Sequence, residues 1–256
     1  MRTFTKRDLA APEHFFACEA AGLQWLSEVP GGARCVRVRG CDAAGLTLGY
    51  LESAHPTVSA ARAFGAGLAN THDAGAPGFG APPAGWDGPG FFGPLRQPLP
   101  MSYSRSPTWG VFYAAERLGP MLEKALPQLD SHTIADIDIV MTRCRRGDFD
   151  DDDPPARLHG DLWAGNLMWT ADGVVLIDPA AHGGHRETDL AMLALFGTPY
   201  LDTVIGAYQR VHPLRQGWRE RISLHQLYPL LAHVVLFGAG YLRQTALAAH
   251  EAAQIN

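Results

Sequence analysis

Apolar residues recur at helical spacing over 11–28, where Phe15, Phe16, Leu23 and Leu26 form one stripe. Pro12 falls in the first turn of that helix, where a missing N–H is tolerated. Glu19 lies inside the stripe rather than opposite it: either it sits at the stripe's solvated edge, the plainer reading of the periodicity, or it is a buried carboxylate that needs a cation or several donors. Short alternating runs surround the helix. Residues 2–6, 35–39 and 46–52 read as strands, the second with Val36 and Val38 against Arg37 and Arg39. The first fifty residues therefore predict strand, helix, strand, strand, and helical spacing resumes over 57–72. The stretch 73–108 is rich in glycine and proline. It meets none of the phosphate-loop spacings, and its prolines remove the N–H donors such a loop needs, so it reads as an ordered surface loop. Helices follow over 109–126 and 130–147. The acidic run from Asp148 to Asp153 reads as a solvated loop rather than a metal site. From residue 187 onward the pattern is helical, with Leu190, Leu193 and Phe196 on one stripe and Leu224, Leu227, Leu231 and Val235 on another. The organisation is a small α+β lobe over 1–52 and a larger, mainly helical lobe over 53–256.

Composition narrows the function classes. The 256 residues are 46% hydrophobic and 18% charged, which supplies a core and excludes intrinsic disorder. A formal charge of −5 argues against a nucleic-acid binder, whose footprint is a basic face. No run approaches 18 apolar residues without a charge or break, and the first residues lack the apolar segment of a signal peptide. Cys18, Cys35, Cys41 and Cys144 have no zinc spacing and read as reduced thiols, so the expectation is a cytoplasmic chain with no membrane partner. Of 21 basic residues only Lys6 and Lys124 are lysines. Each invites a question.

The chemistry concentrates in 158–190. Asp172-Gly173 between the strand-like runs 167–169 and 174–177 is a hairpin signal. A hairpin brings Asn166 and Asp178 together, with Asp161 on the loop that enters it, just after His159. Any one of these residues is common at turns and strand ends. Three at offsets 0, 5 and 17 around a hairpin point to chemistry. Their oxygens suit Mg²⁺, which takes one or two carboxylates plus phosphate oxygens. A carboxylate left over can orient and deprotonate a substrate hydroxyl, the division of labour of kinase-type phosphoryl transfer.

The segments HGDLWAGN, IDPA and RETDLAMLALFG closely resemble the fructosamine (ketosamine) kinase family, a branch of the protein-kinase-like phosphotransferases. LHQLYPLLAHVVLFG over 224–238 resembles the helix that closes that family's C-terminal lobe. The resemblance covers nearly the whole chain and is dense from 157 to 240. It implies an α+β, two-lobed protein-kinase-like fold. It also implies that Asp161 is the catalytic base, that Asn166 and Asp178 hold Mg²⁺, and that Asp189, with His159 of the same loop, is structural support. Trp163 becomes a wall of the sugar pocket. His233, which unaided reads as a hydrogen-bonded core histidine, becomes a sugar contact. Phe4-Thr5-Lys6 resembles the third strand of a kinase small lobe, so Lys6 reaches the ATP phosphates and Glu19 becomes its ion-pair partner. Residues 48–52 become the last strand and hinge, placing Tyr50, Leu51 and Glu52 against the adenine.

The departure from the family is at the start: only five residues precede Lys6, so either the small lobe is reduced, without the first two strands and the phosphate loop, or the chain lacks its true start. A second, smaller departure is His185, where an acid is commoner; His182 and His185 form no convincing metal pair. The implied activity is ATP-dependent phosphorylation of the 3-hydroxyl of a ketosamine, promoting deglycation. The expected partners are small sugar-amine adducts or glycated proteins, and the expected state is a monomer. Two rivals remain at this level: a phosphotransferase acting on an aminoglycoside or other amino-sugar, and a catalytically weak nucleotide or sugar sensor.

Overall fold

Strand β1 (Thr3–Arg7), helix α1 (Phe15–Ser27) and strands β2 (Val38–Asp42) and β3 (Gly45–Gly49) appear in the expected order in a computed structural model that describes residues 2–255. Among the described residues the first sheet has strand order β1-β3-β2, antiparallel throughout. Phe4 pairs with Leu48 and Lys6 with Leu46, which puts all four side chains on one face by the two-residue period of a strand. Helix α1 starts at Phe15, not at Pro12, because His14 takes a left-handed backbone (φ 69°) that no right-handed helix can continue.

The strand expected over 35–39 is two separate pairings. Cys35 bridges Leu176 in parallel, with Val36 N–H donating to Leu176 O (2.9 Å) and Leu176 N–H to Arg34 O (2.7 Å). The chain then bulges between Val38 and Gly40 and continues as β2 against β3. The strand expected over 46–52 ends at Gly49, so Tyr50, Leu51 and Glu52 leave the sheet as extended chain. Phe15, Phe16, Leu46 and Leu48 pack with Val175, and Phe91, Leu95, Met168 and Ile177 lie against the same cluster. The small sheet thus shares its core with residues far beyond position 52.

Helix α2 (Val58–Asp73), capped by the Thr57 hydroxyl, packs closely on a helix from the C-terminal half, α7 (Leu201–Val211). A β-carbon at Gly65 would lie 2.1 Å from Val204 O, so the two backbones meet there. The stretch expected to be a surface loop contains a two-stranded ribbon, β4 (Gly90–Phe92) with β5 (Leu99–Met101). Phe79, Phe92, Leu99 and Met101 are buried in the main helical core. Its apolar residues outweigh its turn residues: the glycines and prolines bend the chain so that these side chains reach inward.

Helix α3 (Trp109–Phe112) runs through a π-helical turn over Tyr113–Leu118 into α4 (Gly119–Ala125), and α5 (Ser131–Arg146) ends on left-handed Gly147. The acidic run is not a free solvated loop. Asp150 accepts the Gly110 N–H (2.7 Å), Asp151 meets His185 (3.2 Å) and Arg215 (3.4 Å), and Asp153 meets Arg186 (3.2 Å). These donors draw it onto the protein. Strands β6 (Ala156–Leu158), β7 (Leu167–Thr170), β8 (Gly173–Leu176) and β9 (His182–Gly184) form two ribbons, β6-β9 and β7-β8. Thr170 pairs with Gly173, so the predicted hairpin turns on Ala171-Asp172.

Helices α6 (Arg186–Phe196), α7, α8 (Ile222–Phe237) and α9 (Leu242–Gln254) complete the chain. The stretch Ile222–Gln254 is long and apolar enough to cross a membrane by length and composition. It is broken at Gly238–Tyr241, its two halves pack on each other, and half of its most apolar window is buried in the protein core.

Candidate active site

Lys6, Asp161, Asn166 and Asp178 line one cavity of about 250 Å³ together with Glu19, Trp163 and His233. Lys6 and Asp178 also line a second, adjoining cavity of about 290 Å³, walled by Phe4, Val36, Leu48, Tyr50, Leu51, Met168 and Ile177. The first is polar at its base. The second is a flat apolar slot under the β1–β3 sheet, between that sheet and the β7-β8 hairpin.

Lys6 projects from β1 on the same face as Phe4 and reaches both acids: its Nζ donates to Glu19 Oε1 (2.7 Å) and to Asp178 Oδ1. Burial works against the ammonium, but the charges of Glu19 and then Asp178 outweigh it and hold its pKa above the ordinary lysine value. Burial pushes Glu19 up and Lys6 pulls it back. Asp178 follows β8 with a left-handed backbone (φ 54°), a conformation that costs a non-glycine residue energy and recurs at functional sites.

Asn166 closes the loop before β7. Its Nδ2 donates to Asp161 O (2.7 Å), Asp161 Oδ2 (3.0 Å) and Asp178 O (3.4 Å), and its backbone O accepts the Ile177 N–H (3.1 Å). With the amide nitrogen committed, the Asn166 Oδ1 and the second carboxylate oxygen of Asp178 are the donors left to an incoming cation. Hard oxygen donors of this kind suit Mg²⁺ with phosphate oxygens, so the residues fit that ion.

Asp161 follows Gly160, whose backbone (φ 82°) lies so close to Ala180 O that a β-carbon would sit 2.1 Å from it. Desolvation, aided by the charges of Asp178 and Asp189, raises Asp161 to about 7 against the lowering effect of the Asn166 hydrogen bond. The loop is held from behind. Asp189, 1% exposed on α6, accepts the His159 N–H (2.8 Å) and the Gly160 N–H (2.9 Å). Although burial opposes its charge, the His72 hydrogen bond and the neighbouring His72 and His159 hold its pKa down. His159 is kept neutral by burial; its Nε2 donates to Ile177 O (2.9 Å), leaving Nδ1 to accept the Asp161 N–H (3.3 Å).

Sequence reasoning missed the rest of this brace. Arg186 donates to Tyr208 OH (3.1 Å), Tyr208 OH donates to His72 Nδ1 (2.8 Å), and His72 Nε2 donates to Asp189 (3.1 Å). It also missed Phe15, Cys18, the 91–95 segment, Leu236 and Phe237 as walls of the polar cavity, and Val36, Met168 and Ile177 as walls of the slot. The alternation of Val36 with Arg37 was the available signal.

Trp163 stands 38% exposed and edge-on to Phe196 (5.7 Å), which in turn faces His233 (5.0 Å). His233 Nδ1 donates to Pro229 O (2.6 Å), so the ring is both hydrogen-bonded within its helix and part of the cavity wall. Glu52 is exposed and lines neither cavity; its side chain is not brought to the slot. His182 and His185 do not converge. His182 Nδ1 donates to Ala180 O (2.9 Å), whereas His185 gathers with Glu187 and His225, where Arg221 binds both Glu187 oxygens (2.6 and 2.9 Å).

A family model for fructosamine kinase matches residues 1–253. A probable ketoamine kinase of Synechocystis sp. is 32% identical over 249 residues, spanning 94% of this chain and 79% of that protein. A solved structure provisionally described as a fructosamine-3-kinase, from Thermobifida fusca, superposes with TM-score 0.90 at 45% identity, covering 99% of this chain and 86% of the other. A choline/ethanolamine kinase family protein from Mesorhizobium loti shares the fold at 14% identity, with TM-score 0.63 and coverage of 98% and 86%.

Proposed function

The chain belongs to the fructosamine kinase family and is an ATP-dependent phosphotransferase acting on a hydroxyl, and from that premise we propose that its acceptor is the 3-hydroxyl of a ketoamine sugar. The observation that carries the reading is the convergence of Lys6, Asp161, Asn166 and Asp178 where an apolar slot opens into a polar cavity. The slot takes the adenine against Leu48, Tyr50, Leu51 and Met168, and the triphosphate runs past Lys6. The cavity takes the sugar between Trp163 and His233. Asn166 and Asp178 would hold Mg²⁺, which would supply charge neutralisation at the phosphates.

Asp161 orients the sugar hydroxyl and accepts its proton. The hydroxyl oxygen bonds the γ-phosphorus as the bond to the ADP oxygen breaks, so the products are ADP, the phosphoester and a proton on Asp161. A base whose pKa lies near 7 matches both the proton it takes and the pH at which it works. The Asp189 brace fixes the loop that carries Asp161, because a base misplaced by about 1 Å loses about 10²-fold in rate. Phosphorylation at the 3-position favours elimination of the sugar from the amine, which makes the reaction a deglycation.

The test is a panel of acceptors, with ADP formation followed by a coupled assay and the product by ³¹P and ¹³C NMR. A deoxyfructosyl or deoxyribulosyl amine is expected to give acceptor-dependent ADP and a phosphate on C3. Turnover only with aminoglycosides, or phosphate on another carbon, contradicts the reading.

A further inference from the structure

Arg117 is 2% exposed and makes no ion pair with a carboxylate among the described residues. Its Nη1 donates to Ser102 O and Glu116 O (3.0 Å each), while Nε and Nη2 have no hydrogen-bond partner. Its guanidinium lies over the Phe112 ring (4.5 Å), and burial lowers its pKa. Glu116 offsets its charge only at longer range, and a buried cation with no carboxylate at ion-pair distance among the described residues and with donors unmade is a costly arrangement.

The segment that carries it is the π-helical turn Tyr113–Leu118, a distortion that recurs at functional sites because the extra residue re-aims a side chain. Beside it is a cavity of about 460 Å³ lined by Arg117, Ser102, Tyr103, Tyr228, Glu116 and Lys124, the rest of its wall being glycine, proline and methionine. Lys124 is the only lysine of the chain besides Lys6. One lysine thus stands in the active site and the other on this cavity.

We propose that this cavity is a second ligand site, for a small molecule with one negatively charged carboxylate or phosphoryl group and an apolar body. Arg117 and Lys124 against Glu116 leave one net positive charge in the lining, which suits a monoanion. The site is separate from the catalytic cavity but shares a wall with it. Tyr228 packs on Phe92 (5.0 Å), and the Tyr103 hydroxyl reaches Ala181 O (3.2 Å) and Cys18 Sγ (3.4 Å). Phe92 and Cys18 line the catalytic cavity.

The test measures binding of benzoate and phenyl phosphate by calorimetry and thermal shift, with benzylamine as the cation of matching shape. At least one anion is expected to bind and raise Tm, benzylamine is not, and Mg·ATP does not displace the anion. Affinity is expected to fall about tenfold or more in both Lys124→Met and Arg117→Met and to be unchanged in Asp178→Asn; Lys124 is exposed, so its variant reads out the site even if Arg117→Met fails to fold. The two probes separate a carboxylate ligand from a phosphoryl one. Failure of both anions to bind, binding indifferent to Lys124→Met, equal binding of benzylamine, or displacement by nucleotide overturns the proposal. None of these outcomes depends on the kinase acceptor.

Discussion

Asp161 sits where burial and two nearby acids raise its pKa to about 7, and that one value sets two opposite pH dependences. As the proposed base it must be ionised, so kcat/KM for the acceptor is expected to fall about tenfold per pH unit below about 7. For stability the sign reverses: the fold favours the protonated carboxyl, so this contribution is present at pH 4 and lost as pH rises through about 7. Asp161→Asn is therefore expected to abolish turnover while raising Tm by about 2–4 °C at pH 8, with little gain at pH 4.5, as read by calorimetry. An equal gain at both pH values would contradict the assignment. Glu19 was only partly legible: periodicity alone fits a place at the solvated edge of the stripe as well as a buried acid with a partner, and the family resemblance pointed to Lys6, which meets it at 2.7 Å. His72 and Tyr208 were not legible. Each stands on a helix among ordinary core residues, and their link to Asp189 exists only after α2 and α7 pack.

At the scale of elements, the β7-β8 hairpin could be read from Asp172-Gly173 and its flanking runs, and it is what joins Asn166 to Asp178. The 73–108 stretch could not be read the same way. Its glycines and prolines signal turns, but whether Phe91 and Phe92 face solvent or a cavity is decided by α1 and the helical core against which they lie. The splitting of the 35–39 strand has the same origin: parallel pairing with β8 joins segments about 140 residues apart, and no local pattern records it. The α2–α7 contact gives a direct test. Alanine at Gly65 gains about 1 kcal/mol of helix propensity but puts a methyl 2.1 Å from Val204 O, and backbone there cannot yield cheaply. Gly65→Ala is expected to destabilise by about 1–3 kcal/mol in chemical denaturation, and a stabilised variant would contradict the packing.

The whole molecule is a small three-stranded sheet and one helix set over a helical body, with both cavities at the seam and Lys6 and Asp178 meeting across it. Nucleotide bridging that seam is expected to stabilise both parts together. At a concentration about 100-fold above Kd it contributes about 2.7 kcal/mol, and chelating Mg²⁺ with EDTA is expected to remove most of the resulting Tm rise. The division of roles across the seam is tested most directly by single-turnover transfer from [γ-³²P]ATP to a deoxyfructosyl amine, comparing the unaltered protein with Asp161→Asn at pH 7.5. The account predicts acceptor-dependent label transfer that slows at least about 10²-fold in the variant, with nucleotide affinity retained. Transfer at an unchanged rate, or nucleotide binding with no transfer to any ketoamine, would contradict it.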